Sequence, residues 1–190
     1  MRTKEFDPDT VLGRALDLFW ERGYEKTSMQ DLVDRMGIGR RSLYDTFGDK
    51  HSLFLKALHR YATEREAEQR DTIEGAADAR QAVQALLESA VLGGAVLHRG
   101  CLTVNTATEA TTEDDESRAA VQRQLTGGRA ILLEAIERGQ REGSISTSRD
   151  AATLATVVFN AWLGLRVRVR AGVGTDELLA DVAAVLTLLD

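Results

Sequence analysis

The chain has 190 residues, 43% hydrophobic and 28% charged, with a single proline and a formal net charge of −6. That length buries a sizeable core, either as one domain or as a small unit joined to a larger one. One cysteine, Cys101, excludes an internal disulfide framework and fits a reducing, cytoplasmic setting; the charged start "MRTKEFDPD" has no signal-peptide core, and no apolar run is long enough to span a bilayer. The abundance of Ala, Leu, Arg and Glu favours helix. The acidic surplus is uneven: residues 1–60 hold 11 Lys/Arg against 10 Asp/Glu, and residues 61–190 hold 13 against 20.

In chain order, Asp7-Pro8 opens a first helix over 8–22, with Asp as N-cap, Pro at the first turn and Gly23 as the stop. "TSMQDL" places Thr27 three residues before Gln30, a capping box for a second helix over 28–36 that ends at Gly37. After the short link "GIG" a third helix covers 40–46 and turns Leu43 and Phe47 inward, the spacing of a helix-turn-helix. A fourth runs from Asp49 to about 73, a fifth from Asp78 to His98. "RGCLTVNTATEA" forms a short sixth, and a seventh, capped by "TEDDES", reaches Glu142 with a candidate kink at Gly127-Gly128. Two apolar helices, 149–171 and 175–189, complete an all-α body of about nine helices.

Arg40 and Arg41 begin the third helix, the element that enters the major groove in a helix-turn-helix. Guanidinium pairs bidentately with guanine or with phosphate, and a helix N-terminus favours an anion; exposure on a solvated helix face is the plainer reading of the pair. The stretch "TSMQDLVDRMGIGRRSLYDTFGDKHSLF" (27–54) resembles the DNA-binding signature of the TetR family of bacterial transcriptional regulators: a capped helix, a glycine turn, a Leu-Tyr pair, a Phe and a following Lys. The resemblance implies a three-helix DNA-binding unit at 1–48 and a helical effector-binding and dimerisation bundle at 49–190, with the last two helices as the dimer seam. It implies a repressor that binds a pseudo-palindromic operator in double-stranded DNA as a homodimer and is released by a small-molecule effector. On the matching positions it gives Thr27 or Ser28 a phosphate contact, places Arg40, Arg41 and Ser42 at base edges, and sets Tyr44 and Lys50 on phosphate. Gly39, where a serine cap is frequent, and Asp45, where an aromatic or His is common, depart from the pattern.

In the remaining two-thirds, Cys101 follows "LHRG" and reads either as a thiol activated by His98 and Arg99 or as a small buried hydrophobe. "GCL" followed by Asn105 and Glu109 resembles a segment found in part of the family, some of whose members sense reactive species through cysteine, and Cys101, Asn105 and Trp162 are the candidate effector-sensing residues. Trp162 belongs to a pocket, a core or the seam. The seam expected from the apolar stripes comprises Leu154, Val158, Phe159, Leu178, Val182, Val185 and Leu186, and "RVRVR" (166–170) reads as a solvated helix end. No metal-spaced ligand set, cofactor loop or catalytic cluster is present: His51, His59 and His98 lie on separate segments. A helical protein-interaction module is the rival reading, and a thiol-based redox regulator acting through Cys101 is a variant of the first.

Overall fold

The computed structural model describes residues 6–95, 99–109 and 114–190. Among them nine α-helices follow in order: α1 (Pro8–Arg22), α2 (Met29–Met36), α3 (Arg40–Phe47), α4 (Lys50–Gly75), α5 (Ala79–Ala95), α6 (Leu102–Glu109), α7 (Asp115–Glu142), α8 (Ala151–Arg170) and α9 (Thr175–Leu186). The expected all-helical architecture is observed, and the last turn tightens into a 3-10 segment at Thr187–Leu189. None of these helices is long and apolar enough to cross a membrane. The expected C-terminal end of the fifth helix at His98 lies outside the described residues.

Local chemistry explains most boundaries. Asp7 accepts from the N–H groups of Asp9 and Thr10, and Pro8 occupies the first turn of α1. Gly37 ends α2 in the left-handed region (φ 70°), a conformation that costs a side chain free energy and glycine none. The capping box of α2 differs from the expected one: Ser28, not Thr27, is the N-cap, and Asp31, not Gln30, reaches back to the Ser28 N–H. Gly127-Gly128 lies within the continuous α7, with no break in the helix.

Two apolar clusters organise the molecule. The first joins α1, α2 and α3 through Val11, Phe19, Leu32, Met36, Leu43 and Phe47, and takes in Leu53, Phe54, Leu58 and Tyr61 from α4 and Cys101 and Leu102 from α6 and its approach. The second lies among α5, α7, α8 and α9. Each fully buried large side chain contributes roughly 1.5–3 kcal/mol. The boundary expected between residues 48 and 49 falls in the α3–α4 turn, while the packing of the first cluster continues along α4 to Tyr61.

The residues expected at the dimer seam need correction. Leu154, Val158, Phe159, Leu178, Val182 and Leu186 are buried within the single chain, in its second cluster, and Val185 packs partly against that cluster. The strongest apolar stripe of α8 and of α9 is used by the chain's own core. What remains outside is a weaker line: Val157, Asn160, Gly164 and Val167 on α8, and Ala180, Ala183 and Ala184 on α9.

Candidate functional site

The first three helices are braced so that α3 is left bare. Glu21 of α1 accepts from Arg35 of α2 at 2.7 Å, and Arg22 of α1 pairs with Asp31 of α2 at 2.8 Å. The Arg35 hydrogen bond holds the Glu21 carboxyl below the ordinary glutamate range. Arg14 donates to the Met36 carbonyl at 3.0 Å, and Lys56 of α4 donates to the Phe47 carbonyl at the end of α3. With Leu43 and Phe47 locked in the core, the opposite face of α3 is presented outward.

That face carries most of the sequence-predicted contacts. Arg40, Arg41, Tyr44 and Asp45 are exposed and Ser42 half-buried. The Arg41 side chain is 95% exposed and reaches Asp45 only at 3.8 Å, a surface pair worth little in water. Tyr44 is 47% exposed, unusual for a large aromatic. Lys50, at the start of α4, lies with its ammonium 4.2 Å from the centre of the Tyr24 ring. Burial lowers its affinity for the proton and the nearby Glu25 charge opposes that shift. Gly39 gives α3 no side-chain cap, as its identity implied. Thr27 is in the wrong place for a phosphate: it is 1% exposed, and its hydroxyl donates to the Gly23 carbonyl at 2.7 Å. Ser28 is exposed, its hydroxyl shared with Asp31 in the capping box.

The second feature is a cavity of about 1100 Å³ lined by α4 to α8 and open to the surface on one side. Leu58, Leu92, Leu125, Ile131, Phe159 and Trp162 form apolar walls, and Tyr61, Cys101, Thr103, Gln124 and Arg166 bring polar groups to it. Of the residues expected to sense an effector, Cys101 and Trp162 line the cavity. Asn105 does not; its side-chain amide donates to the Arg99 carbonyl at 2.9 Å. Arg99 is turned away from the thiol, to Asp17 at 3.0 Å and Glu21 at 2.7 Å on α1. His98, the other expected activator, lies outside the described residues. The partner of Cys101 is instead Tyr61, whose hydroxyl donates to the sulfur at 3.4 Å and whose phenol is pushed well above its ordinary value by burial. "RVRVR" is not wholly solvated: Arg166 is buried, while Arg168 and Arg170 are partly or fully exposed.

Residues 11–57 match the family description "Bacterial regulatory proteins, tetR family", and residues 79–184 match "Tetracyclin repressor-like, C-terminal domain". The chain belongs to the TetR family. Relatives agree along the whole length. The uncharacterized HTH-type transcriptional regulator YezE of Bacillus subtilis is 31% identical over 100% of this chain and 99% of its own. The HTH-type transcriptional repressor ComR of Escherichia coli is 28% identical over 98% of this chain and 90% of its own. Among solved structures, a cysteine-substituted variant of the TetR family transcriptional regulator CifR, complexed with 26-bp double-stranded operator DNA, superposes with a TM-score of 0.90 at 34% identity over 100% of both chains.

This TetR-family chain is accordingly a DNA-binding transcriptional regulator rather than an enzyme. The joints between its two halves were not foreseen. Besides Arg99, Glu109 of α6 accepts the Tyr24 N–H at 2.9 Å, passing so close to Gly23 that a Cβ there would lie 2.4 Å from the carboxylate. His51 of α4 lies 3.1 Å from Glu116 and 3.7 Å from Asp114. In the sequence only the acids of "TEDDES" and Glu109 hinted at these joints, and their cationic and backbone partners lie tens of residues away.

Proposed function

We propose that the chain is a dimeric repressor whose α3 helices read a pseudo-palindromic operator and whose cavity takes a small effector that releases the DNA. The observation that carries this reading is a shared wall: Tyr61 and Cys101 line the cavity and also belong to the apolar cluster that holds α1 to α3. The far edge of Tyr61 meets Trp20 of α1, ring centres 5.0 Å apart. A ligand that moves this wall moves the reading unit, and it acts through its differential affinity for the two arrangements. In this reading residues 1–48 form the DNA-binding domain and 49–190 the effector and dimer domain, with α4 common to both. Arg40, Arg41 and Ser42 meet base edges; Tyr44, Lys50 and Ser28 meet phosphate; Thr27 is structural. The seam uses the outer faces of α8 and α9, around Val157, Gly164, Val167, Ala180 and Ala184. A bacterial regulator of this kind works in the cytoplasm.

Genomic footprinting with purified protein tests the whole scheme. Protected sites are expected to be pseudo-palindromes with half-site centres separated by about one helical turn (~34–36 Å) or a little more. Protection of single, unpaired half-sites overturns the dimeric reading.

Cys101 supports a second reading. Its thiol is buried yet lines the cavity, so an electrophile entering there meets a nucleophile. The solved relative's cysteine substitutions concern that protein; here the test is operator release by an alkylating agent, abolished in Cys101→Ser. Release that is equal in both proteins removes the thiol from the response.

A further inference from the structure

Among the described cations that line the cavity, Arg166 is the one that is buried and has no ion pair. It is 6% exposed, its guanidinium stacks on Trp162 at 4.6 Å, and its Nε has no hydrogen-bond partner. The ion pairs of α8 among the described residues belong to its neighbour Arg168, and α8 itself contains no acidic residue. By contrast Arg65, whose Nε is likewise without a partner, is only half-buried and pairs with Glu68, and Arg123 is exposed. The acids at the cavity edge are exposed and engaged elsewhere: Glu66 faces Arg70 at 3.2 Å, Asp115 pairs with Arg118, and Glu116 meets His51.

A buried charge without a counter-ion is costly, and a planar guanidinium offers a fork of donors that fits a carboxylate or a similar oxyanion. An acidic ligand supplies what the described residues do not. A cationic one finds no buried carboxylate among the described residues and meets the like charge of Arg166. Beside this buried charge lie the apolar walls already described, with Tyr61, Thr103 and Gln124 as neutral polar groups, and the volume accepts a body of drug size or larger. We propose that the effector is an amphipathic organic anion, its oxyanion head paired with Arg166 and its aromatic or branched apolar body laid against Trp162, Phe159, Ile131 and Leu125. This rests on the cavity being the effector site.

Two dyes that differ only by an acid group separate the claims: anilinonaphthalene sulfonate and its uncharged twin phenylnaphthylamine, titrated by fluorescence into the full-length protein. The anion is expected to bind about 10–100-fold more tightly, the range of a charge-assisted hydrogen bond. Arg166→Met should remove that preference and leave the neutral dye's affinity unchanged, while Arg123→Gln keeps it. Equal binding of the two dyes to the wild-type protein overturns the proposal whether or not Arg166→Met folds; so does a preference that survives in folded Arg166→Met. Leu125→Trp, which narrows the cavity, should weaken both dyes. If neither dye binds, or Leu125→Trp affects neither, it is the cavity reading that falls, and the anion proposal falls with it.

Discussion

Replacing Thr27 by valine separates anchoring from DNA contact. The side chain is 1% exposed and its hydroxyl donates to the Gly23 carbonyl at 2.7 Å. Valine keeps the branched shape, so packing survives, but the carbonyl at the α1 stop loses that donor. Leaving a buried acceptor unsatisfied costs about 1–3 kcal/mol. In a chain of this size each ~1 kcal/mol moves the melting temperature by roughly 2–4 °C, so a fall of several degrees is expected. The assay pairs a thermal melt with titrations of a random-sequence duplex at several salt concentrations. Each phosphate neutralised by a cation adds about 0.9 to the slope of log affinity against log salt, and a neutral hydroxyl adds affinity without slope. Thr27→Val should melt earlier with its affinity for the duplex intact, whereas Lys50→Ala should lose about 0.9 of slope per reading unit. A Thr27→Val protein that melts normally and binds the duplex more weakly at every salt concentration has its hydroxyl on the DNA, and the reasoning is refuted.

Arg41→Ala should relax base preference in a selection from random duplexes, by about 1–3 kcal/mol at one position; uniformly weaker binding to all sequences would reassign Arg41 to phosphate. Val157→Glu sets two like charges across the proposed α8 seam, a cost of several kcal/mol, and sedimentation should report monomer; an intact dimer places the seam elsewhere. Gly39→Ser adds the missing cap of α3 and should raise stability by a few tenths of a kcal/mol, read as a higher urea midpoint. The Ser28 side chain, the Ser52 N–H and the Thr153 side chain respectively hold the Asp31, Asp49 and Asp150 carboxyls below the ordinary aspartate value. Folded values below unfolded ones mean that this stabilisation is complete above the unfolded value of about 4 and is lost as pH falls through the folded one. Asp31→Asn should flatten the acid limb of the stability curve, and an unchanged limb contradicts the assignment.

The helices were legible because their punctuation is local: Asp7-Pro8, Gly23, Gly37 and the acid-rich start of α7 act within one turn of chain. The α3 face was legible for the same reason, since Leu43 and Phe47 fix its rotation. Errors arose where two local solutions compete or where the partner is distant. Thr27 and Ser28 both suit an N-cap, and the choice is made by the carboxylate at Asp31, a better acceptor for the Ser28 N–H than the Gln30 amide. An apolar stripe states that a surface is buried without stating by what, so Leu154 and Leu178 read equally as seam or core. Arg166 was hidden in an alternating run whose other arginines do meet water. Its spacing of four from Trp162, on a helix without acids, was the available signal.

Because Tyr61 and Cys101 belong to the scaffold of the reading head, the two sides of the cavity are unequal in evolutionary freedom. A substitution at Tyr61 that widened the chamber would loosen Trp20 and the helices it steadies, and the regulator would forfeit its grip on DNA before gaining a new stimulus. Leu92, Leu125 and Trp162 carry no such obligation. Chemical taste in this lineage should therefore drift on the α5, α7 and α8 side, while the α4 and α6 side is inherited almost unaltered.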